Sequence, residues 1–552
     1  MSSDRFNGPT SLRKGQACIY CRRRKMRCDG ARPICGQCRK GQRSEDCEYT
    51  DRQGQSRMEA LEDSIARLKA RIHELENPVA PKDEAVVLHQ PYVGNASGLR
   101  PTLTGPSPGA RYAVASTSPV EPPQEIVSTL LNNFFEHALT FGFFLSVSNF
   151  RASALLPYPM GDPRRPLSSL MTIVYFFGSL LSDNPVWQAR SSEYLAQALE
   201  STGSSSLASS HPHKVLHTIQ AEVLLANYLF SAGRLLEGRY HISTAMSLCV
   251  GSGLNKIHSP NLLLMVDTSN GLFPQASGPS EVGERIMAWW VTLSLDQSWA
   301  AAFEVNSYND PIIAETETPW PLRTEDYLRG QLIPNAPRST LTVQGFLDGD
   351  NRDGSLQSSP LELAAKASLL WKQAHLLKEA AAVTNIASVS AATRDRIDEL
   401  LAILNASHDR NPSDAPAFSL LLARGLAHAA LISLICLRSS GVENLEKVIN
   451  SSLAILEIIG KLEPQNKYIN PLFTMLWTLA SRSLISILQR VPSISNSGRD
   501  HLVTVIQNGL MTMDRFGSDW SALTSLVHSF YSQLMTEQFY QSTKSTKYME
   551  CL

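Results

Sequence analysis

Long unbroken apolar runs are few in this 552-residue chain, and their scarcity excludes several classes of protein. The N-terminus, MSSDRFNGPTSLRKG, has no apolar h-region, so a secretory signal is not expected. One stretch, 418–437, is apolar enough to weigh as a membrane span, yet Arg424 and His428 lie inside it. A span needs about 18 or more consecutive apolar residues with few or no charges, so a buried core helix and no membrane partner are expected. Net charge is nearly absent: 50 Lys+Arg against 51 Asp+Glu leave −1, which excludes a polybasic or acidic chain overall. Alternating strand patterns are scarce. H-E-x-x-H, the Walker loop and G-x-S-x-G are all missing, and no paired carboxylates or Cys/His arrangement stands out. No enzyme is expected.

The near-zero average hides a split. Residues 11–57 hold 13 Lys/Arg and 5 Asp/Glu, or +8, while residues 58–552 sum to −9. A basic head on a mildly acidic body points to a polyanion partner at one end. Residues 78–123 carry nine prolines with scattered Gly and Ser and no sustained periodicity, too little for a core. From about residue 124 onward apolar residues recur at helical spacing, as at Ile126, Leu130, Leu131, Phe134 and Phe135. Further helical patterns cover 168–182, 214–254, 281–304, 360–383, 391–406, 415–438, 443–462, 468–490, 499–514 and 518–540. The stretches 258–280 and 330–358 read as surface loops. A large all-α domain is the result, with no repeat of fixed period.

Six of the nine cysteines fall in the head, as Cys18-x2-Cys21-x6-Cys28-x6-Cys35-x2-Cys38-x8-Cys47. Each half repeats a close pair followed by a third cysteine. A C-x2-C pair at a helical turn puts two sulfurs on one side, within about 2.3 Å of a single ion. Thiolates suit tetrahedral Zn²⁺, and a metal replaces the core that a unit below roughly 40 residues cannot build. Two separate four-thiolate sites need eight cysteines, so two metals require two bridging sulfurs. Two zinc ions on six thiolates would bring the segment's +8 to about +6, still attractive to an anion. One four-Cys site with two spare thiols, or an iron–sulfur cluster, also satisfies the count. A disulfide framework conflicts with the missing secretory signal. Cys249 and Cys436 read as core packing, and neither they nor the isolated Cys551 suggest a nucleophile.

The run C-x-x-C-R-R-R-K-M-R-C-D, with Pro33 two residues before the fourth cysteine, resembles the fungal Zn(II)2Cys6 binuclear-cluster transcription factors. The resemblance implies two zinc ions. Cys18 and Cys35 would bridge them, Cys21 and Cys28 completing one site, Cys38 and Cys47 the other. It also implies a nuclear, sequence-specific regulator of RNA polymerase II transcription. Lys25 matches the position that reads a CGG triplet in double-stranded DNA, and Lys is a suitable donor to guanine O6 and N7. Arg24 is its expected helper; Arg22, Arg23, Arg27, Arg39 and Lys40 are read as phosphate contacts. The run from Arg22 to Arg27 is expected at a helix N-terminus facing the major groove. A solvated charge run or nuclear-import signal would share its composition.

Met58, Leu61, Ile65, Leu68, Ile72 and Leu75 alternate spacings of three and four, an a/d seam. Ile at a and Leu at d favour a parallel two-stranded coil, and Arg71 at g can meet Glu76 at e of a partner. A homodimer is expected, the alternative being a helix docked on its own α-domain. Residues 224–256 and 284–296, then Asp310-Pro311 and Thr318-Pro319-Trp320-Pro321, resemble the fungal-specific transcription factor domain. Asn255 and Gln297 stand where family members often carry His and Arg. Trp289 and Trp290 are expected in the helix core rather than lining a pocket. The resemblance implies a regulatory role, meeting co-regulators or a small-molecule inducer. An activator is expected, with a repressor, a ligand-gated sensor, or an enzyme or scaffold tethered to nucleic acid as alternatives.

The expected organisation is a disordered N-terminus (1–16) and a Zn2Cys6 DNA-binding module (17–49). A linker and short parallel coiled coil (50–77) and a disordered Pro-rich linker (78–123) follow. The large all-α domain (124–540) and a tail (541–552) complete the chain.

Overall fold

Cys18 and Cys35 each cap a five-residue helix, α1 (Ile19–Arg23) and α2 (Gly36–Lys40), through a sulfur that accepts the N–H three residues on. Both helices are too short to persist alone, and the sulfurs buried between them take the place of an apolar core. The computed structural model describes residues 17–43, 45, 47, 49, 66, 69, 121–257, 273, 276, 278–306, 310–331, 341–349, 358–380, 387–408, 415–435, 442–462, 469–490 and 496–515. The heptad positions Met58, Leu61, Ile65, Leu68, Ile72 and Leu75 lie outside the described residues. So do residues 1–16, the linker up to 120, the 518–540 pattern, Cys436 and the tail with Cys551. The chain divides into two units between Val114 and Ala115.

Helix is the only regular structure among the second unit's described residues, with no strand among them. It opens with α3 (Gln124–Phe135), α4 (Val147–Ala154) and α5 (Ser168–Leu180). The α5 sequence, SSLMTIVYFFGSL, is apolar nearly all round, and eleven of its residues are buried, as a central helix requires. Gly178 permits this. A Cβ there would collide with the Leu130 backbone carbonyl of α3, whose neighbour Asn133 donates to the Gly178 carbonyl at 3.1 Å. Gly178→Ala is therefore expected to destabilise the α-domain by about 1–3 kcal/mol. Calorimetry should show its unfolding transition lowered; an unchanged transition would contradict this packing.

Helix α6 (Pro185–Ser201), absent from the sequence expectations, starts where Asn184 accepts from Val186 N–H and Pro185 takes the first turn. Its apolar stripe is narrow, only Tyr194 and Ala198 being buried, so periodicity alone missed it. After α7 (Ser204–Ala208), the expected run 214–254 splits into α8 (Lys214–Ser231) and α9 (Leu235–Gly251). Gly233 at φ 71° ends α8, with Gly233 N–H bonded to the Phe230 carbonyl and Arg234 N–H to Leu229. This is a Schellman stop, which needs a left-handed residue.

Next come a 3-10 turn (Leu254–Lys256), α10 (Pro279–Ala302), α11 (Asp310–Ala314), α12 (Thr324–Leu328) and α13 (Thr342–Asp348). Part of the expected 330–358 loop is thus helical. The segments singled out by resemblance meet here. Trp290 of α10 stacks on Trp320 at 4.3 Å and donates to the Pro319 carbonyl at 2.7 Å. Thr318 donates to the Leu254 carbonyl and accepts from Ile257 N–H, pinning the 3-10 turn. Trp289 and Trp290 are fully buried, as core residues.

A second apolar core is built by α14 (Pro360–Ala380), α15 (Ala387–His408), α16 (Ala415–Ile435), α17 (Val442–Gly460), α18 (Leu472–Arg490) and α19 (Asn496–Arg515). The most extensive packing is between α14 and α16. The window Phe418–Ile435 of α16 has mean hydropathy 1.8, long and apolar enough to cross a membrane, and 56% of it is buried in the protein. This is the buried helix expected from Arg424 and His428.

Candidate metal centre and nucleic-acid interface

Six sulfurs converge in the first unit. Cys18, Cys21, Cys28 and Cys35 place their Sγ atoms within 4.8 Å of one another, and so do Cys18, Cys35, Cys38 and Cys47. Cys18 and Cys35 are common to both groups. Their Sγ atoms stand 3.8 Å apart, Cys18 is 3.8 Å from Cys38, and Cys21 is 3.7 Å from Cys35. Two sulfurs each about 2.3 Å from one tetrahedral ion stand about 3.8 Å apart, so the spacing fits zinc. It is far too long for a disulfide, and all six are free thiols.

The electrostatics agree with a dication. Burial pushes the Cys18, Cys21 and Cys38 thiols up. Burial also works to raise Cys35, but its bond from Cys38 N–H and those from neighbouring thiols outweigh it and hold Cys35 below its ordinary value. Bound zinc would supply the positive charge that favours buried thiolates over thiols. Backbone donors already aim at them: Cys21 N–H to Cys18, Cys38 N–H to Cys35, Gly30 N–H to Cys28 and Cys35 N–H to Cys47.

The two halves are geometric copies. Lys25 at φ 54° and Gln42 at φ 52° sit seven residues after Cys18 and Cys35. In the first half Lys25 N–H bonds to the Arg22 carbonyl and Met26 N–H to Cys21; in the second, Gln42 bonds to Arg39 and Arg43 to Cys38. Each is a Schellman stop with a side chain where glycine is usual. The basic run is therefore at the C-terminal end of α1, correcting the expectation of a helix N-terminus. The physical reason is that Cys18 already occupies the N-terminus, and cations favour the C-terminal pole of a helix.

Arg22, Arg23, Arg24, Lys25, Met26, Arg27, Arg39 and Lys40 are all exposed. The Arg24 guanidinium lies over the Tyr20 ring, 5.3 Å from its centre, which steadies it beside Lys25. Sequence reasoning missed the residues that brace the second half. Asp29 accepts from Gly36 N–H at 2.9 Å and from Ala31 N–H at 3.3 Å, and these bonds hold its carboxyl below the usual range. A Cβ at Gly36 would stand 2.5 Å from Asp29 Oδ2, so the link depends on that glycine. Tyr49 donates to the Ala31 carbonyl at 2.8 Å and carries Arg32 over its ring at 4.8 Å. The only signal was Asp29 directly after Cys28, where Asp favours a local turn. Groups that support metal ligands are worth about 10–100-fold in metal affinity, and Asp29→Ala is expected to weaken zinc retention by about ten-fold. Competition with a chelator measures this, and an unaltered exchange curve would remove Asp29 from the site.

Residues 16–56 match the fungal Zn(2)-Cys(6) binuclear cluster domain, and residues 164–392 match the fungal specific transcription factor domain. A 68-residue stretch is 43% identical to the notoamide biosynthesis cluster transcriptional coactivator notQ' of Aspergillus versicolor, and it covers 12% of this chain and 12% of that protein. No solved structure matches the chain. A metal-organised module with DNA-binding potential and a helical domain of this kind are typical of transcription factors rather than of enzymes. The chain thus carries a fungal Zn(2)-Cys(6) module, whose six sulfurs fit two zinc ions, and a fungal specific transcription factor domain, the pair of domains found in nuclear fungal transcription factors.

Proposed function

We propose that the chain is a homodimeric activator of RNA polymerase II transcription that reads CGG-type half-sites through Lys25. The observation that carries this is the exposed cationic surface around Lys25, fixed to a six-sulfur centre in which Cys18 and Cys35 belong to both four-sulfur groups and would bridge two zinc ions. Zinc held by the six cysteines would supply cross-linking and charge; the chain's own residues do the reading. Lys25, held at the left-handed stop of α1, donates to guanine O6 and N7 with Arg24 beside it. Arg22, Arg23, Arg27, Arg39 and Lys40 neutralise phosphates, so log K falls by about 0.9 per log unit of salt for each contact. Phosphate contacts place the module, and the base contact selects the sequence.

The seam from Met58 to Leu75 supports a parallel dimer, whose two modules would engage two half-sites. The relative's name, a transcriptional coactivator of a biosynthesis cluster, supports the activating sign and suggests biosynthetic genes as targets. The helical domain would restrain or transmit activity to co-regulators. A reporter driven by sites selected from random duplex DNA tests the reading. The full chain is expected to raise expression, and a chain lacking residues 1–77 to leave it at background. Activation that survives this deletion would overturn the proposal.

A further inference from the structure

Helix α16 has the sequence APAFSLLLARGLAHAALISLI, which contains no acid and two basic positions, Arg424 and His428. They lie one turn apart on the same face. Among the described residues neither makes a hydrogen bond or an ion pair. Arg424 Nε and both ring nitrogens of His428 are buried with no partner. A neutral imidazole offers one donor and one acceptor, so both capacities of His428 are unused. Burial, and behind it the Arg424 charge, pushes His428 down to about 4. Arg424 is the one charged group, among the described residues, that acts on it.

Several acids on the helices packed against α16 are paired within their own helices, and no acid is among the groups that act on His428. Glu362 of α14 pairs with Lys366 at 2.6 Å, and Glu443 and Glu457 of α17 pair with Lys447 and Lys461. Two hydroxyls of the same core, Ser452 of α17 and Ser481 of α18, are also buried without partners. A guanidinium with no counter-charge, one turn from an imidazole whose single donor is unused, is costly in apolar surroundings and becomes favourable once an anion arrives. Arg424 and His428 are each only partly buried as residues, so part of the pair lies at the protein surface.

We propose that Arg424 and His428 form a binding site for a small oxyanion, the carboxylate or phosphate group of a small molecule. The planar guanidinium matches either group, and His428 adds an N–H donor one turn along the helix. Leu421, three residues before Arg424 and partly exposed, offers apolar surface to the remainder of such a ligand. The inference does not rest on DNA reading; it would make the helical domain a ligand-responsive one.

Thermal unfolding of the full zinc-loaded chain in acetate, phosphate or chloride at matched ionic strength tests it. Acetate or phosphate is expected to raise the helical domain's transition by on the order of 2 °C beyond chloride. A rise in acetate alone identifies a carboxylate site, and a rise in phosphate alone a phosphate site. Arg424→Gln and His428→Gln should each abolish the excess, either one sufficing should the other fail to fold. Lys25→Ala should retain it, which separates this site from phosphate held by the basic head. No excess in the unaltered chain, or an excess that persists in Arg424→Gln, overturns the proposal. Binding of the same samples to duplex DNA reports independently on the DNA reading.

Discussion

Replacing Lys25 with alanine is expected to cost about 1–3 kcal/mol of discrimination, the worth of one good base contact. Binding to a selected site should fall by roughly 5–150-fold, while binding to scrambled duplex changes little. The local backbone sharpens the test. Lys25 holds φ 54°, which costs an ordinary residue roughly 1–2 kcal/mol and glycine almost nothing. Lys25→Gly should therefore keep or improve the stability of the module while losing the same discrimination. Loss of sequence preference in both variants assigns the effect to the side chain. If Lys25→Gly keeps the unaltered ratio of specific to nonspecific affinity, Lys25 is not the reader. Arg23→Ala serves as the contrast, weakening all sequences alike and lowering the salt dependence by about one contact.

The second large effect concerns the shared sulfurs. Cys18→Ser or Cys35→Ser removes a ligand common to both four-sulfur groups. Structural zinc in small modules contributes on the order of 10 kcal/mol or more, beyond what a module of this size can lose. Either variant is expected to drop sequence-specific binding to the nonspecific level, about 10³-fold or more. Cys249 is the control: it is buried within the helical domain, far along the chain from the basic head. Cys249→Ala should leave DNA recognition intact whatever it does to the stability of that domain. Site recognition that survives Cys35→Ser at near-native affinity would contradict shared ligation.

Much of this was readable in the chain itself, for reasons that differ from place to place. Ligand spacing is a property of sequence, so the six cysteines declared a metal centre before any coordinates did. Long amphipathic helices were readable too, as at 168–182 against Ser168–Leu180, because burial imposes a period. The stop at Gly233 was passed over, since apolar residues continue at helical spacing on both sides of it. The stops at Lys25 and Gln42 carried no local mark, because the sulfur centre forces a left-handed turn on residues that do not favour it. The same capture of the helix N-terminus by Cys18 moved the basic run to the opposite pole from the one expected. Asp29 escaped notice because its partner, Gly36 N–H, is seven residues away and is brought close only by the folded module. The isolation of Arg424 and His428 could not be read at all, since what marks them is the lack of any partner after packing.

Zinc counted per molecule of the purified full chain tests the whole account most directly. Two ions per chain are expected, both lost together with DNA recognition when a strong chelator is added. A preparation holding one ion or none that still discriminates its site from scrambled duplex would contradict it.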